Sequence, residues 1–180
     1  MPNNQMIPTL ETQRLILRGH RVEDFNDSAE MWADPHVVAH ISGVPSTRQQ
    51  SWARLLRYSG LWYQLGFGYW VVETKVDGDF IGEVGFADYK RDTSPNIEDI
   101  PEAGWVLKKA AHGQGFATEA VTRILNWADQ QLNCEKTVCL FDPVHIGSIA
   151  VATKVGYGNR IMGRFETHEA LFMDRPRRQS

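Results

Sequence analysis

One helical pattern flanked by two strand patterns constrains this chain more than any other feature. Ala117, Ala120, Val121, Ile124, Leu125, Ala128 and Leu132 recur at three- and four-residue steps, which lines them along one stripe of a helix that must be buried. Glu102–Leu107 stands before it and Lys136–Phe141 after it, both of strand length. Strand, helix and strand in this order form a crossover that places both strands in one sheet, with right-handed connection. Upstream, residues 69–76 and 80–88 read as strands joined by Asp77-Gly78-Asp79. Gly78 supplies the positive φ of a tight turn, so these two pair antiparallel. An antiparallel meander feeding a crossover predicts an α/β (α+β) domain, a mixed sheet with helices on its faces.

The rest of the chain fills in that frame. Arg14-Leu15-Ile16-Leu17-Arg18 reads as a first strand, and 24–33 as a helix stopped before Pro35, because the residue preceding proline disfavours the α region. A second helix over 47–61 carries Trp52, Leu55 and Leu56 on one face. Residues 90–101 are polar, hold two prolines and have no period, so they read as a long loop. A short helix over 146–155 and a last strand over 164–173 complete a sheet of about seven strands with about four helices. The 180 residues predict a single domain, 1–180, with loose ends at 1–8 and 175–180.

Charge and composition narrow the partners. The net charge of −3 removes the broad basic footprint of non-specific nucleic-acid binding. No apolar run approaches the ~18 residues of a membrane span, and the first residues lack the charged and apolar regions of a secretion signal, so a cytoplasmic protein is expected. Cys134 and Cys139 lack the C-x-x-C spacing of redox or zinc sites. Cys139, inside Val138-Cys139-Leu140-Phe141, reads as a buried inert thiol.

The chemistry concentrates in His112-Gly113-Gln114-Gly115-Phe116-Ala117, between the central strand and the periodic helix. Glycines there let the backbone approach a ligand, and a helix start offers unpaired N–H groups that suit an anion such as a pyrophosphate. The same two glycines also fit a plain flexible connection. A P-loop is excluded, because Phe116-Ala117 stand where Lys and Ser or Thr belong. A dinucleotide fingerprint is disfavoured by Thr118 at the third glycine and by the hairpin pairing upstream.

From Leu10-Glu11-Thr12-Gln13-Arg14-Leu15 through Pro101-Glu102-Ala103-Gly104-Trp105-Val106-Leu107, Gly113-Gln114-Gly115-Phe116-Ala117-Thr118-Glu119-Ala120 and Asp142-Pro143-Val144-His145-Ile146-Gly147-Ser148 to Lys154-Val155-Gly156-Tyr157, the chain resembles the GNAT acetyltransferases. Within them it is most similar to the RimJ/RimL-type ribosomal-protein N-acetyltransferases. The resemblance implies a GNAT fold splayed at an acetyl-CoA site, transfer of an acetyl group to a primary amine by direct attack in a ternary complex, acetyl-CoA as cosubstrate and no metal. It places the pyrophosphate at His112, Gly113, Gln114, Gly115, Phe116, Ala117 and Thr118, and the pantetheine arm along Trp105, Val106 and Leu107, with His145 and Ser148 near it. His112 departs from the family's usual Gln or Arg, and His145 from its usual Asn. The Tyr that many members use as acid falls on Ala152.

The same resemblance implies Glu102 as the base, which an amine charged at neutral pH requires; a main-chain N–H of the Trp105 strand would be the oxyanion donor, and with the family's Tyr absent Ser148, or a water it holds, is the candidate acid. A solvated loop-end carboxylate is the plain alternative for Glu102, and a helix-start residue the one for His145. Glu98, Asp99 and Glu102 would attract a cationic amine or merely form a solvated acidic loop, and Trp52, Trp62, Tyr63, Phe67 and Trp70 would form either an acceptor wall or core. The acceptor class stays open between protein N-termini and small-molecule amines; no nucleic acid or membrane is expected, and a homodimer is compatible. The rival reading is a catalytically silent acyl-CoA-binding sensor or assembly domain.

Overall fold

The computed structural model describes residues 7–178. Among them, nine strands form one sheet: β1 Leu10–Glu11, β2 Leu15–Arg18, β3 Tyr69–Thr74, β4 Phe80–Ala87, β5 Thr93–Ser94, β6 Glu102–Leu107, β7 Lys136–Phe141, β8 Gly158–Phe165 and β9 His168–Pro176, in spatial order β1-β2-β3-β4-β6-β7-β9-β8-β5. The helices are α1 Phe25–Ala33, α2 Pro35–Val38, α3 Arg48–Leu65, α4 Phe116–Gln131 and α5 Ile146–Lys154. The hairpin β3–β4 is antiparallel, and β6 and β7 run parallel across α4, as the crossover requires.

The middle of the sheet is buried on both sides, which is why β4 has no exposed residue. One face packs Val72, Val84, Phe86, Ala103 and Leu107 against the α4 stripe of Ala120, Val121, Ile124, Leu125 and Ala128. Each of the Val, Leu, Ile and Phe side chains among these stabilises the fold by roughly 1.5–3 kcal/mol. The opposite face lies under α1 and α3. There Met31 and Trp32 pack on Val71, and Tyr58 and Leu61 on Tyr69 and Ala87. Trp62, Trp70 and Trp127 meet edge to face inside the core, so Trp62 and Trp70 are core residues. Trp52 and Tyr63 are exposed on α3.

Helix ends follow local chemistry. Thr47 and Gln50 form a capping box at the start of α3, and Gly66 closes it at φ 74°. This helix runs to Leu65, a turn beyond the expected 61. Pro35 does end α1, but it also opens α2: it stands in the first turn, where its missing N–H costs nothing, and the Asp34 carboxylate accepts from the His36 N–H at 2.8 Å.

Four strands differ from expectation. β1 and β5 are two-residue strands with no pattern of their own, and β5 lies inside the expected loop. The expected last strand over 164–173 runs across the turn at Glu166-Thr167, which divides it between β8 and β9; β8 is largely exposed and acquires its conformation from pairing with β9. β9 extends to Pro176 because Arg175, expected in a loose tail, is 3% exposed and holds Asp129 through two hydrogen bonds of 2.8 and 2.7 Å. The outer parts of the expected loose ends, 1–6 and 179–180, lie outside the described residues. No described helix is long and apolar enough to cross a membrane.

Candidate active site

The parallel pair at the middle of the sheet is only half made. β6 and β7 are in register at Glu102 and Val138, joined by the Val138 N–H donating to the Pro101 carbonyl at 3.1 Å, and then separate. The β7-facing edge of Trp105, Val106 and Leu107 is therefore free of strand partners, and the Trp105 and Phe141 rings meet across the gap at 5.4 Å. An extended chain with its own amide groups could pair along such an edge.

At the far end of β6 a 3-10 turn over Lys109–Ala111 leads into the glycine loop. Gly113 and Gly115 take φ of 73° and 79°, the left-handed region that a side chain strains, and Gly115 is the residue from which α4 starts. The loop is clipped from within: the His112 ring donates from Nε2 to the Leu107 carbonyl at 2.9 Å, and Gln114 Nε2 to the Ala110 carbonyl at 2.8 Å. Arg14 braces it from outside, with Nη1 donating to the Gln114 carbonyl at 2.9 Å, Nε to Glu119 at 2.7 Å, and the guanidinium over the Phe116 ring at 4.4 Å. The main-chain N–H groups of residues 113–118, including those of Ala117 and Thr118, make no hydrogen bond within the described residues, and α4 has no side-chain cap. They form an anion-seeking cluster at the positive end of a sixteen-residue helix.

Glu102 sits where the pair begins to part. It is 7% exposed, which rules out the solvated reading, and both oxygens are gripped by Arg91, Nε at 2.9 Å and Nη2 at 3.2 Å. Burial raises its carboxyl above the ordinary 4.5, against the pull of Arg91. The acidic approach is likewise answered from within, since Lys90 pairs with both Asp88 at 2.7 Å and Asp99 at 2.6 Å.

Beyond the C-terminal end of β7, His145 stands at the start of α5 without capping it. Its Nε2 lies 3.4 Å from the hydroxyl of Ser148, which is buried. His40, just after α2, stacks on His145 at 4.9 Å and approaches Asp142 at 3.8 Å. Burial, then the neighbouring His40, pushes the His145 imidazole below its ordinary value, with Asp142 acting the other way. Ala152 is fully buried in the core and Cys139 likewise, its thiol pushed well up by burial.

Sequence reasoning missed the wall beneath α3. Tyr58 stacks on Tyr69 at 4.2 Å, and Tyr89 packs against both and lies under the guanidinium of Arg91 at 4.5 Å. Gly104 makes this possible, since a Cβ there would collide with the Tyr69 hydroxyl. Tyr58 shares the face of α3 that holds Leu55, the one available signal; Tyr89 and Arg91 lie in a stretch without pattern.

A sheet splayed at one parallel pair, with an uncapped helix start at the mouth of the gap, is the architecture of the GNAT fold. The description of the acetyltransferase (GNAT) domain matches residues 14–158. YkkB of Bacillus subtilis (strain 168), an uncharacterized protein, is 29% identical over 152 residues, 82% of this chain and 83% of that one. The crystal structure of an acetyltransferase from Agrobacterium tumefaciens strain C58 superposes with a TM-score of 0.80 at 27% identity, covering 93% of this chain and 94% of that one. RimL, a ribosomal L7/L12 alpha-N-protein acetyltransferase solved with coenzyme A, shares the fold at a TM-score of 0.73 and 12% identity, over 94% and 98% of the two chains. The chain belongs to the GNAT family of acetyltransferases, and is an acyltransferase.

Proposed function

We propose that this enzyme moves the acetyl group of acetyl-CoA to a primary amine by direct attack in a ternary complex, sharing that chemistry with the RimJ/RimL-type branch but not its protein acceptor, and that it works in the cytoplasm. The observation that carries the reading is the conjunction of a free β6 edge with six consecutive unpaired N–H groups at its end. Residues 113–118 would take the pyrophosphate, His112 and Gln114 holding the loop in shape rather than touching the ligand. The pantetheine arm would pair along Trp105, Val106 and Leu107, and a main-chain N–H of that edge would face the thioester oxygen.

The amine must lose a proton to attack, and Glu102 would take it. A carboxylate whose affinity for protons is raised by burial is a better base near neutral pH than a solvated one. Arg91 would hold it in place until the amine arrives. The departing thiolate resembles that of cysteine, with a pKa near ~8.5, and needs only modest help. Ser148 would supply it, with His145 alongside.

The test is thermal. Acetyl-CoA should raise the melting temperature while NAD and ATP at equal concentration do not, since ligand binding to the native state stabilises by mass action. Gly115→Val should abolish the rise by straining the φ of 79° and by keeping the ligand off the loop's main chain. Equal rises in variant and parent would remove the pyrophosphate from this loop.

A further inference from the structure

The amine is only one end of the acceptor, and α3 bears on the other. Arg54 and Arg57 stand one turn apart on this helix. Arg54 lies over the Trp32 ring at 3.7 Å, and Arg57 over Tyr89 at 5.0 Å, so each guanidinium is held by an aromatic ring. Among the described residues neither has a carboxylate within ion-pair distance. Arg54 has a single hydrogen bond, from Nη2 to Ser46 Oγ at 3.2 Å, while its Nη1 is buried without a partner. One turn earlier the Ser51 hydroxyl, on a fully buried residue, is also without a partner. Native folds rarely keep buried donors unpaired, and least of all charged ones.

The nearby carboxylates do not answer these arginines. Glu83 is already engaged by Ser28 at 2.7 Å, Trp32 at 2.9 Å and His20 at 3.2 Å, and Glu102 by Arg91. Arg54, Arg57 and Arg91 thus stand against Glu83 and Glu102, and neither carboxylate is free to pair with Arg54 or Arg57. This face is also connected to the chemistry: Tyr89 lies under both Arg57 and Arg91, and Arg91 grips Glu102 at the point where β6 and β7 part.

We propose that the acceptor carries a carboxylate close to its amine, as an amino acid does, and that Arg54 and Arg57 receive that carboxylate while the amine lies toward Glu102. The proposal rests on the acetyl-transfer reading and names its substrate class. A guanidinium pair fits a carboxylate through charge-assisted, planar hydrogen bonds. A purely cationic amine would meet repulsion here instead.

Matched acceptors test it: the proteinogenic amino acids against their α-carboxamides, with thiol release from acetyl-CoA as readout. The amide amine is the less basic of each pair, so intrinsic reactivity at neutral pH favours the amide. We expect the acids to lead nonetheless, by about tenfold in kcat/KM for the best pair. Arg57→Gln, at an exposed position, and Arg54→Gln should each bring the ratio toward one without changing the KM for acetyl-CoA. A second readout needs no turnover: N-acetyl amino acids, but not their amides, should raise the melting temperature of the CoA-loaded protein, and Arg57→Gln should remove the rise. Amides equal to or better than acids overturn the proposal while transfer itself stands, as do peptides with free N-termini that outperform the free amino acids. A ratio unmoved by both variants overturns it too. Thiol release from neither set, with product binding still selective for the acid, would uphold the carboxylate site and sink the transfer reading.

Discussion

Glu83 and Glu102 are both buried carboxylates on the same face of the same sheet, Glu83 opposite Val106 and Glu102 opposite Ala87 across the β4–β6 pair, yet their surroundings differ in kind. Glu83 accepts three hydrogen bonds, from Trp32 and Ser28 of α1 and from His20 in the connection that follows β2. Burial alone would raise its carboxyl; these donors, His20 foremost, outweigh that and hold it below its ordinary value. Glu102 has one partner, Arg91, in an irregular stretch, and burial prevails. A buried carboxylate with a full set of fixed donors is committed to its charge and to the fold. One held by a single side chain beside an opening can exchange that partner for a proton.

The largest effect should come from breaking the first arrangement. Glu83→Ala leaves three buried donors unanswered and removes the hydrogen bonds that tie α1 to β4, and should cost about 3 kcal/mol or more. Urea unfolding midpoints check it. A loss well under 1 kcal/mol would mean that Glu83 is dispensable to the fold and the contrast with Glu102 is empty.

Glu102→Gln should do the converse: little loss of stability, and a turnover about a hundredfold lower, within the usual range for acid–base catalysis. Acceptors with more basic amines should suffer most, and raising the pH should restore part of the rate, since the amine then sheds its proton unaided. Full activity with a lysine-like amine at neutral pH would take Glu102 out of the reaction.

The pH dependence of stability sharpens the contrast further, because the two carboxyls shift in opposite directions. Glu83, shifted down, stabilises the fold above the ordinary 4.5, and that contribution is lost as pH falls through its lower folded value. Glu102, shifted up, contributes fully below 4.5 and loses that contribution as pH rises through its higher folded value. The melting temperature of Glu102→Gln should therefore gain on the parent as pH rises from about 4.5 toward 7, whereas the deficit of a Glu83→Gln protein should shrink only in acid below 4.5. Parallel curves for the parent and Glu102→Gln would show that Glu102 keeps its ordinary affinity for protons.

The contrast also marks what could be read in the sequence. β6, β7 and most of α4 were delimited by their own patterns, because they are the buried middle of the molecule and burial writes periodicity into sequence. β8 leaves no such pattern because its residues face solvent and only β9 dictates their conformation, and α2 is hidden because Pro35 both stops one helix and starts the next. Gly113, Gly115 and Glu102 are legible as site residues through local chemistry and family resemblance. Arg91, Tyr58, Tyr89 and His40 are not, since each is brought to the site by contacts between distant elements or by a patternless loop.

The smallest predicted effect concerns Ser148, which resembles Glu102 in being a buried polar group with one partner, the His145 ring at 3.4 Å. If it protonates the departing thiolate, Ser148→Ala should lower kcat by about tenfold and leave the KM for acetyl-CoA nearly unchanged, because the interaction grows only as charge develops on sulfur. If it merely steadies the pantetheine arm, the KM should rise instead and kcat should hold. A tyrosine cannot be brought back to decide the matter: Ala152 has no exposed surface and sits in the core, so Ala152→Tyr should overpack it at about 1–3 kcal/mol rather than deliver a phenol to the opening. His145→Asn is the better companion. It should leave kcat near the parent's where Ser148 acts alone, and reproduce the Ser148→Ala loss where the imidazole supplies the serine's proton.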